Sequence, residues 1–345
     1  MIVKNEEQNL RDSLKSIYDK VDEIIIADTG STDKTKSIAA EFTDKIYDFE
    51  WCNDFSAARN YSVQMATNDW VLILDADEIV TCFDEKSVAD FMIKEPLCAG
   101  RIKRVDIFED LEGIKRYSNR ISRLFNKNYY MYKGIFHEQV VSISQNDIST
   151  KSVDISADHI GYMKEVINRT DKLGRNLQML ENALKIDNKD QYLHYQLGKT
   201  FFMAKEFSKA CDSFQRALSH GADFKYEYVG DLIGCLGYSL INSGKYKEAL
   251  EILKYEKYYS GDKDFLFLSG LIYMNNAMFN EAVNSFKQCI GGKEGNMEGV
   301  NSYLPNYNIG VIYDCLGYKK EAITYYGNCG GYIPAQKRLA EIWTT

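Results

Sequence analysis

The sequence predicts an α/β domain followed by an all-α array of helical repeats, and three observations carry that expectation. Up to about residue 160, short apolar runs alternate with amphipathic stretches, the order of a mostly parallel sheet covered by helices. Beyond about residue 165 the strand-like runs vanish, and a Gly followed twelve residues later by an Ala recurs four times. Between these regimes, Trp70-Val71-Leu72-Ile73-Leu74 ends abruptly in Asp75-Ala76-Asp77-Glu78. A buried strand thus delivers carboxylates at its carboxyl end, where open α/β sheets bind ligands.

Taken in order, Met1-Ile2-Val3 reads as the end of a strand whose first residues are missing or very short. Leu10, Leu14 and Ile17 share one helical face, and Glu23-Ile24-Ile25-Ile26-Ala27 forms a strand that stops at Asp28. Thr32 or Asp33 caps a second helix with Ile38, Ala39 and Phe42 inside, and Ile46 to Phe49 is a further short strand. Asp54 or Ser56 caps a third helix, whose Ala57, Ala58, Tyr61 and Met65 face inward before the strand at 70–74.

The repeats begin after a linking helix expected from Glu165 through Lys185, with Leu173, Leu177, Leu180 and Leu184 inside, acting as an incomplete first repeat. The Gly/Ala pairs are Gly198/Ala210, Gly237/Ala249, Gly270/Ala282 and Gly310/Ala322, at spacings of 39, 33 and 40 residues. A large apolar residue follows each Gly by three, and another follows each Ala by four (Phe214, Leu253, Phe286, Tyr326). This pattern resembles the tetratricopeptide repeat. Small residues let two antiparallel helices approach, and the large ones are expected to fill the groove between helix pairs. The boundaries read as 1–164 for the α/β domain and 165–345 for repeats starting near 191, 230, 263 and 303.

Bulk composition narrows the function classes. With 345 residues, 45% hydrophobic and 27% charged, the chain has room for two cores, and 25 Tyr against 3 Pro suits helices carrying aromatic surface. A net charge of -8 without Lys/Arg runs argues against nucleic acid as a partner and against anionic membranes. The eight Cys at 52, 82, 98, 211, 235, 289, 315 and 329 form no C-x-x-C pair, which favours reduced core thiols over disulfides or zinc. No run approaches the roughly 20 apolar residues of a membrane span, and no signal peptide opens the chain. A cytoplasmic protein is the expectation.

Asp75 and Asp77, two residues apart on a strand, are expected to share a face, where paired carboxylates need a cation or hydrogen-bond donors. A divalent metal carrying a diphosphate suits them: Asp75 would contact ribose or sugar hydroxyls and Asp77 the metal. A second D-x-D, Asp262-Lys263-Asp264, lies between repeat helices and reads as a solvated turn. Asp28, before the tight-turning Gly30, suits a nucleobase or ribose contact or a turn that caps the next helix. A phosphotransfer nucleophile is disfavoured there, because Gly30 stands where such loops usually carry a second carboxylate.

With these acids on neighbouring strand ends, the segments M-I-V-K-N-E-E, D-T-G-S-T-D, N-D-F-S-A-A-R-N and L-D-A-D-E, in that order, resemble the family 2 glycosyltransferases of GT-A fold. Joined to a tetratricopeptide tail, they further resemble bacterial glycosyltransferases acting on peptide side chains, including Cys. The resemblance implies that Val3 and Glu6 line the base and ribose, and that Asp28 contacts the base. It places Arg59 near the nucleotide or diphosphate, against the plain alternative of an exposed helix Arg pairing with Asp54. Asp75 and Ala76 would line the donor. Asp77 would bind Mn2+ or Mg2+, and His159 would add a further metal ligand, or else serve as a structural His.

An inverting transfer also asks for a base. Glu138 is the first choice, Asp106 and Glu109 are alternatives, and an exposed salt-bridging Glu138 is the bland reading. The run Arg120-Ile121-Ser122-Arg123-Leu124-Phe125 adds positive charge without an assigned role. The expectation is therefore a metal-dependent transferase moving a sugar from a nucleotide-sugar, UDP-linked in the first instance, to a peptide or protein held in the repeat groove. Its rivals are transfer to a lipid-linked or surface glycan, and a non-catalytic scaffold with a degenerate donor domain. A homodimer is carried only as the general habit of repeat tails.

Overall fold

The computed structural model describes residues 1–110, 113–134, 138–162 and 172–344. The chain divides into two compact units, Met1–Thr170 and Asp171–Thr345. The boundary expected between 164 and 165, and the start of the linking helix, lie outside the described residues.

In the first unit, β1 (Ile2–Val3), β2 (Ile26–Asp28) and β3 (Ile46–Asp48) make a parallel three-stranded sheet in the order β1-β2-β3. The mostly parallel sheet read from sequence ends there. Strands β4 (Trp70–Leu72), β5 (Glu78–Phe83), β6 (Ala99–Asp110), β7 (Gly113–Asn126) and β10 (Thr150–Tyr162) form a mixed sheet ordered β4-β7-β6-β10-β5. Within it only β10 and β6 run parallel. These long strands carry many charged residues, so they lack the apolar runs that mark a parallel sheet covered on both faces. A hairpin of β8 (Tyr130–Lys133) and β9 (Gln139–Ser142) completes the unit.

Local capping follows the sequence where short side chains were available. The Asp33 carboxylate accepts the Thr35 amide at 2.9 Å ahead of helix α2 (Thr35–Ala39), and Asp54 accepts that of Ala57 at 3.0 Å at the start of α3 (Phe55–Met65). The buried face of α3 differs from the expected one. It carries Ser56, Ala58, Arg59, Ser62 and Val63, so the helix turns an arginine inward. Among the described residues the unit also has helices α1 (Leu10–Lys15), whose Leu10 and Leu14 are fully buried, and α4 (Glu85–Lys94).

In the second unit, antiparallel pairs run Gln191–Met203 with Phe207–Ser219, Lys263–Asn275 with Phe279–Cys289, and Tyr303–Cys315 with Lys319–Gly327. Each conserves one contact within the pair. A Cβ on Gly198 would lie 2.5 Å from the Phe214 ring, one on Gly270 2.5 Å from Phe286, and one on Gly310 2.6 Å from Tyr326. The large residue after Ala therefore fills the gap over its own Gly, a correction to the expected place between pairs. The second repeat departs. Helix Glu227–Asn242 is followed by a short helix Tyr246–Ala249 that tightens into a 3-10 stretch Leu250–Tyr258, and Gly237 packs against Leu268 instead of Leu253.

The second D-x-D is only half a turn motif. Asp262 caps Lys263–Asn275 through the Phe265 amide at 2.9 Å, whereas Asp264 accepts the Asn296 and Met297 amides at 2.6 and 2.9 Å. Held by those two amides from a segment some thirty residues on, Asp264 is not the solvated turn residue expected, and burial raises its pKa. All eight thiols are free, and five of them are buried. No described helix is long and apolar enough to cross a membrane.

Candidate active site

The tips of β1 and β2 are joined by the loops that follow them. Val3, 3% exposed, accepts both the Thr29 amide and its hydroxyl through its carbonyl, at 2.9 and 3.0 Å. The Asn5 side chain accepts the Thr32 amide at 2.8 Å, and the Glu6 amide donates to Thr35 Oγ1 at 2.7 Å. Asp28 is fully buried. Its Oδ1 accepts the Gly30 and Ser31 amides at 2.9 and 2.7 Å, a turn that Gly30 permits with φ of 102°. Its Oδ2 is buried with no partner in the protein.

Asp75, Ala76 and Asp77 do not continue the strand. Pairing stops at Leu72 apart from the Ile73 amide on Arg123 O, and a turn follows, closed by the Glu78 amide on Asp75 O at 3.1 Å. The expected shared face of Asp75 and Asp77 therefore does not arise from strand alternation. Buried Ala76 joins the apolar cluster of Val3 and Ile26, which sets the turn beside the first sheet.

Each carboxylate of the turn has its own counter-charge. Asp75 Oδ1 lies 2.7 Å from Arg59 Nη2 and Oδ2 lies 2.6 Å from Arg123 Nη2. Burial works against ionising Asp75, yet Arg123 and Arg59 hold its pKa well below the usual carboxylate range. Arg59 also donates through Nε to Glu138, stands 5.4 Å from the centre of the Tyr132 ring, and leaves Nη1 buried without a partner. It is 7% exposed, so the exposed pairing with Asp54 is ruled out. The Glu138 carboxylate is only 11% exposed, which equally excludes a solvated surface acid. Asn60 fastens α3 to β8 beneath it, donating to Tyr132 O at 2.8 Å and accepting the Tyr132 amide at 2.9 Å.

Asp77 Oδ2 lies 3.3 Å from His159 Nε2, and the Asp77 carbonyl accepts the Ile160 amide at 3.0 Å. His159 sits on β10 between Glu78 of β5 and Asp106 of β6 in the strand register. Its Nδ1 is 2.7 Å from Asp106 Oδ1. Burial disfavours the imidazolium, but Asp77 and Asp106 outweigh it and raise the pKa to about 10. Among the described residues no three His, Cys, Asp or Glu side chains gather as a metal cage.

These contacts join into one line. From Glu138 it runs through Arg59, Asp75, Arg123, Glu78, Arg104, Asp106 and His159 to Asp77, with acid and base alternating throughout. The weakest link, Glu78 to Arg104, is 3.8 Å. Sequence reasoning missed Glu78, fully buried, along with Arg104, Tyr132 and the role of Arg123, which is 6% exposed. One signal was available: an arginine among apolar residues in Ile121 to Phe125 and a glutamate before Ile79-Val80 each demand an opposite charge if buried. The alternative base Asp106 is consumed by this line.

Against this geometry the comparisons with known proteins can be set. Residues 1–141 match the profile of glycosyl transferase family 2. The match places a glycosyltransferase family 2 segment within the first unit. Segments 264–291 and 305–329 match the tetratricopeptide repeat, so repeats follow that unit. A TPR repeat-containing protein of Synechococcus elongatus is 31% identical over 239 residues, covering 64% of this chain and 56% of that protein. The SPbeta prophage-derived glycosyltransferase SunS of Bacillus subtilis is 25% identical over 236 residues, covering 65% and 53%. The chain thus spans about half the length of the curated relatives it matches. The solved TPR protein YrrB, titled as having an unusual peptide-binding site, aligns at 21% identity and a TM-score of 0.42 over 52% of this chain and 88% of its own.

Proposed function

We propose that the chain is an inverting glycosyltransferase that moves a sugar from a nucleoside diphosphate donor, UDP-linked in the first instance, to a peptide or protein side chain. The observation that carries this reading is the continuous, largely buried line of charge with Glu138 at one end and Asp77 at the other. Val3, Glu6, Asp28, Asp75 and Ala76 receive the nucleoside. The orphan Asp28 Oδ2 suits this role, because a buried acceptor without a donor is costly until a nucleobase N–H arrives.

Asp77 and His159 fit Mn2+ or Mg2+ as a two-ligand set. Their oxygen and nitrogen are 3.3 Å apart, close enough that both would serve one divalent cation. The far imidazole nitrogen is anchored on a carboxylate, the usual support for a metal-bound His. When bound, the ion supplies positive charge for the leaving diphosphate.

Arg59 reaches the diphosphate with its unpartnered Nη1. Because the same guanidinium holds Glu138, donor binding competes for it and frees Glu138 to take the acceptor proton. A thiol acceptor would need less help, its ordinary pKa of about 8.5 being the lowest among the nucleophilic side chains concerned. The acceptor class rests on the repeat unit, since helical solenoids present extended surfaces suited to a chain laid across them.

The test is turnover by the full chain of a panel of UDP-, GDP- and dTDP-sugars with Mn2+, with water or a candidate peptide as acceptor. Glu138→Gln is expected to lower kcat by about 10²- to 10⁴-fold, with donor binding no weaker because Arg59 loses its competing carboxylate. Release of no sugar from any donor would contradict the reading, and transfer only to a glycan would replace the acceptor class.

A further inference from the structure

The Arg104 guanidinium touches both acids that separate the nucleotide end of the charged line from its cation end. On β6 it stands two residues from Asp106 and so on the same face. Its Nη2 donates to Asp106 Oδ2 at 3.3 Å, while Nε lies 3.0 Å from Oδ1 but off the hydrogen-bond direction. Its Nη1 is 3.8 Å from Oε1 of fully buried Glu78. Asp106 has one further support across the sheet, the Asn119 amide nitrogen at 2.9 Å. Asp106 in turn holds His159 Nδ1, which leaves Nε2 facing Asp77.

We propose that Arg104 is a positioning residue for the cation site: it fixes Asp106, Asp106 fixes the imidazole of His159, and the Nε2 edge of the ring is thereby kept on Asp77. The inference rests on the reading of Asp77 and His159 as cation ligands. Arg104 does not touch the ion in this arrangement. Its effect travels through a hydrogen-bonded carboxylate, and such outer supports typically change metal affinity by about 10- to 100-fold when removed. A neutral side chain at 104 would leave Asp106 buried with less compensating charge, free to draw His159 away from Asp77.

The experiment titrates Mn2+ alone into the full chain, followed by the electron paramagnetic resonance of free Mn2+, and separately titrates uridine, which has no phosphate to reach an ion. In Arg104→Gln the Mn2+ Kd is expected to rise about 10- to 100-fold, with uridine affinity within about twofold of the parent and Arg104→Lys recovering part of the loss. Asn119→Ala, which removes the Asn119 amide donor from Asp106, is expected to weaken Mn2+ in the same direction and serves if Arg104→Gln does not fold. Unchanged Mn2+ binding in the folded variants, or a parallel fall of Mn2+ and uridine affinity, would overturn the proposal. A parent chain that binds uridine but no Mn2+ would overturn the cation reading beneath it.

Discussion

Where the first unit buries side chains such as Arg59, Glu78, Arg123 and His159, each partnered by residues tens of positions away, the second buries Ser and Thr hydroxyls that look no further than their own helix. Thr200, Ser213, Ser239 and Ser269 all donate to the carbonyl four residues earlier. Apart from Tyr195 and Lys199, which reach Asp231 at 2.6 and 2.8 Å, and Asp264 on the Asn296 and Met297 amides, its packing is a matter of shape: Gly198, Gly270 and Gly310 lie under the rings of Phe214, Phe286 and Tyr326. The contrast teaches where each unit is vulnerable. Loss of one partner in the charged line strands a buried ion, whereas a change in the repeats is felt as volume.

The largest effect should therefore come from Arg123→Met, which leaves Asp75 and Glu78 short of their shared cation. Chemical denaturation of the full chain is expected to show a loss of about 3–5 kcal/mol. A loss below about 1 kcal/mol would mean that the line is solvated and that the two units do not differ in kind.

Glu23 sharpens the comparison from outside the line. It is 12% exposed, accepts the Thr67 and Asn68 amides at 2.7 and 2.9 Å, and pairs with Lys45. Burial opposes its ionisation, but Lys45 and those amides lower its pKa to about 2. A depressed folded pKa stabilises fully above the ordinary carboxyl value, and that stabilisation is lost as pH falls toward the folded value. Glu23→Gln is thus expected to cost about 1–3 kcal/mol at pH 7 and clearly less near pH 3. An equal gap at both pH values would show that hydrogen-bond geometry alone, without charge, does the work.

In the repeats, Gly270→Ala would place a methyl 2.5 Å from the Phe286 ring and should destabilise by about 1–3 kcal/mol. The smallest effect has the opposite sign. A Cβ on Gly234, within Glu227–Asn242, meets nothing within 4 Å, so Gly234→Ala should stabilise by about 0.5–1 kcal/mol through helix propensity. Thermal melts of both variants check the pair, and equal shifts would break the volume account.

The same contrast explains what was legible in advance. Gly and Ala at a fixed offset announce helix pairing because the contact they make is nearly the same in each repeat, and only the second, where the chain tightens into the 3-10 stretch, escapes the pattern. In the first unit, Asp28 and the caps at Asp33 and Asp54 were readable because their partners lie within three residues. Arg59 and His159 were singled out through resemblance, and Asp75, Asp77 and Glu138 were named as well, but the direct pairing of Arg59 with Asp75 and Glu138 and of His159 with Asp106 was not. A guanidinium on α3, a carboxylate after β4 and a glutamate beside β9 meet through the packing of α3, the mixed sheet and the separate β8-β9 hairpin, which no local period encodes. The strand alternation argued for Asp75 and Asp77 failed for a related reason: Glu78 folds back onto the Asp75 amide and turns the chain.

Calorimetric titration of UDP into the full chain, with and without Mn2+, in the parent and in Asp77→Asn, bears most directly on the convergence of these groups upon one donor. UDP is expected to bind markedly tighter with Mn2+ in the parent, and Asp77→Asn is expected to abolish most of that gain, on the order of several kcal/mol. UDP affinity indifferent to Mn2+, or an Asp77→Asn chain that binds UDP as the parent does, would contradict the account.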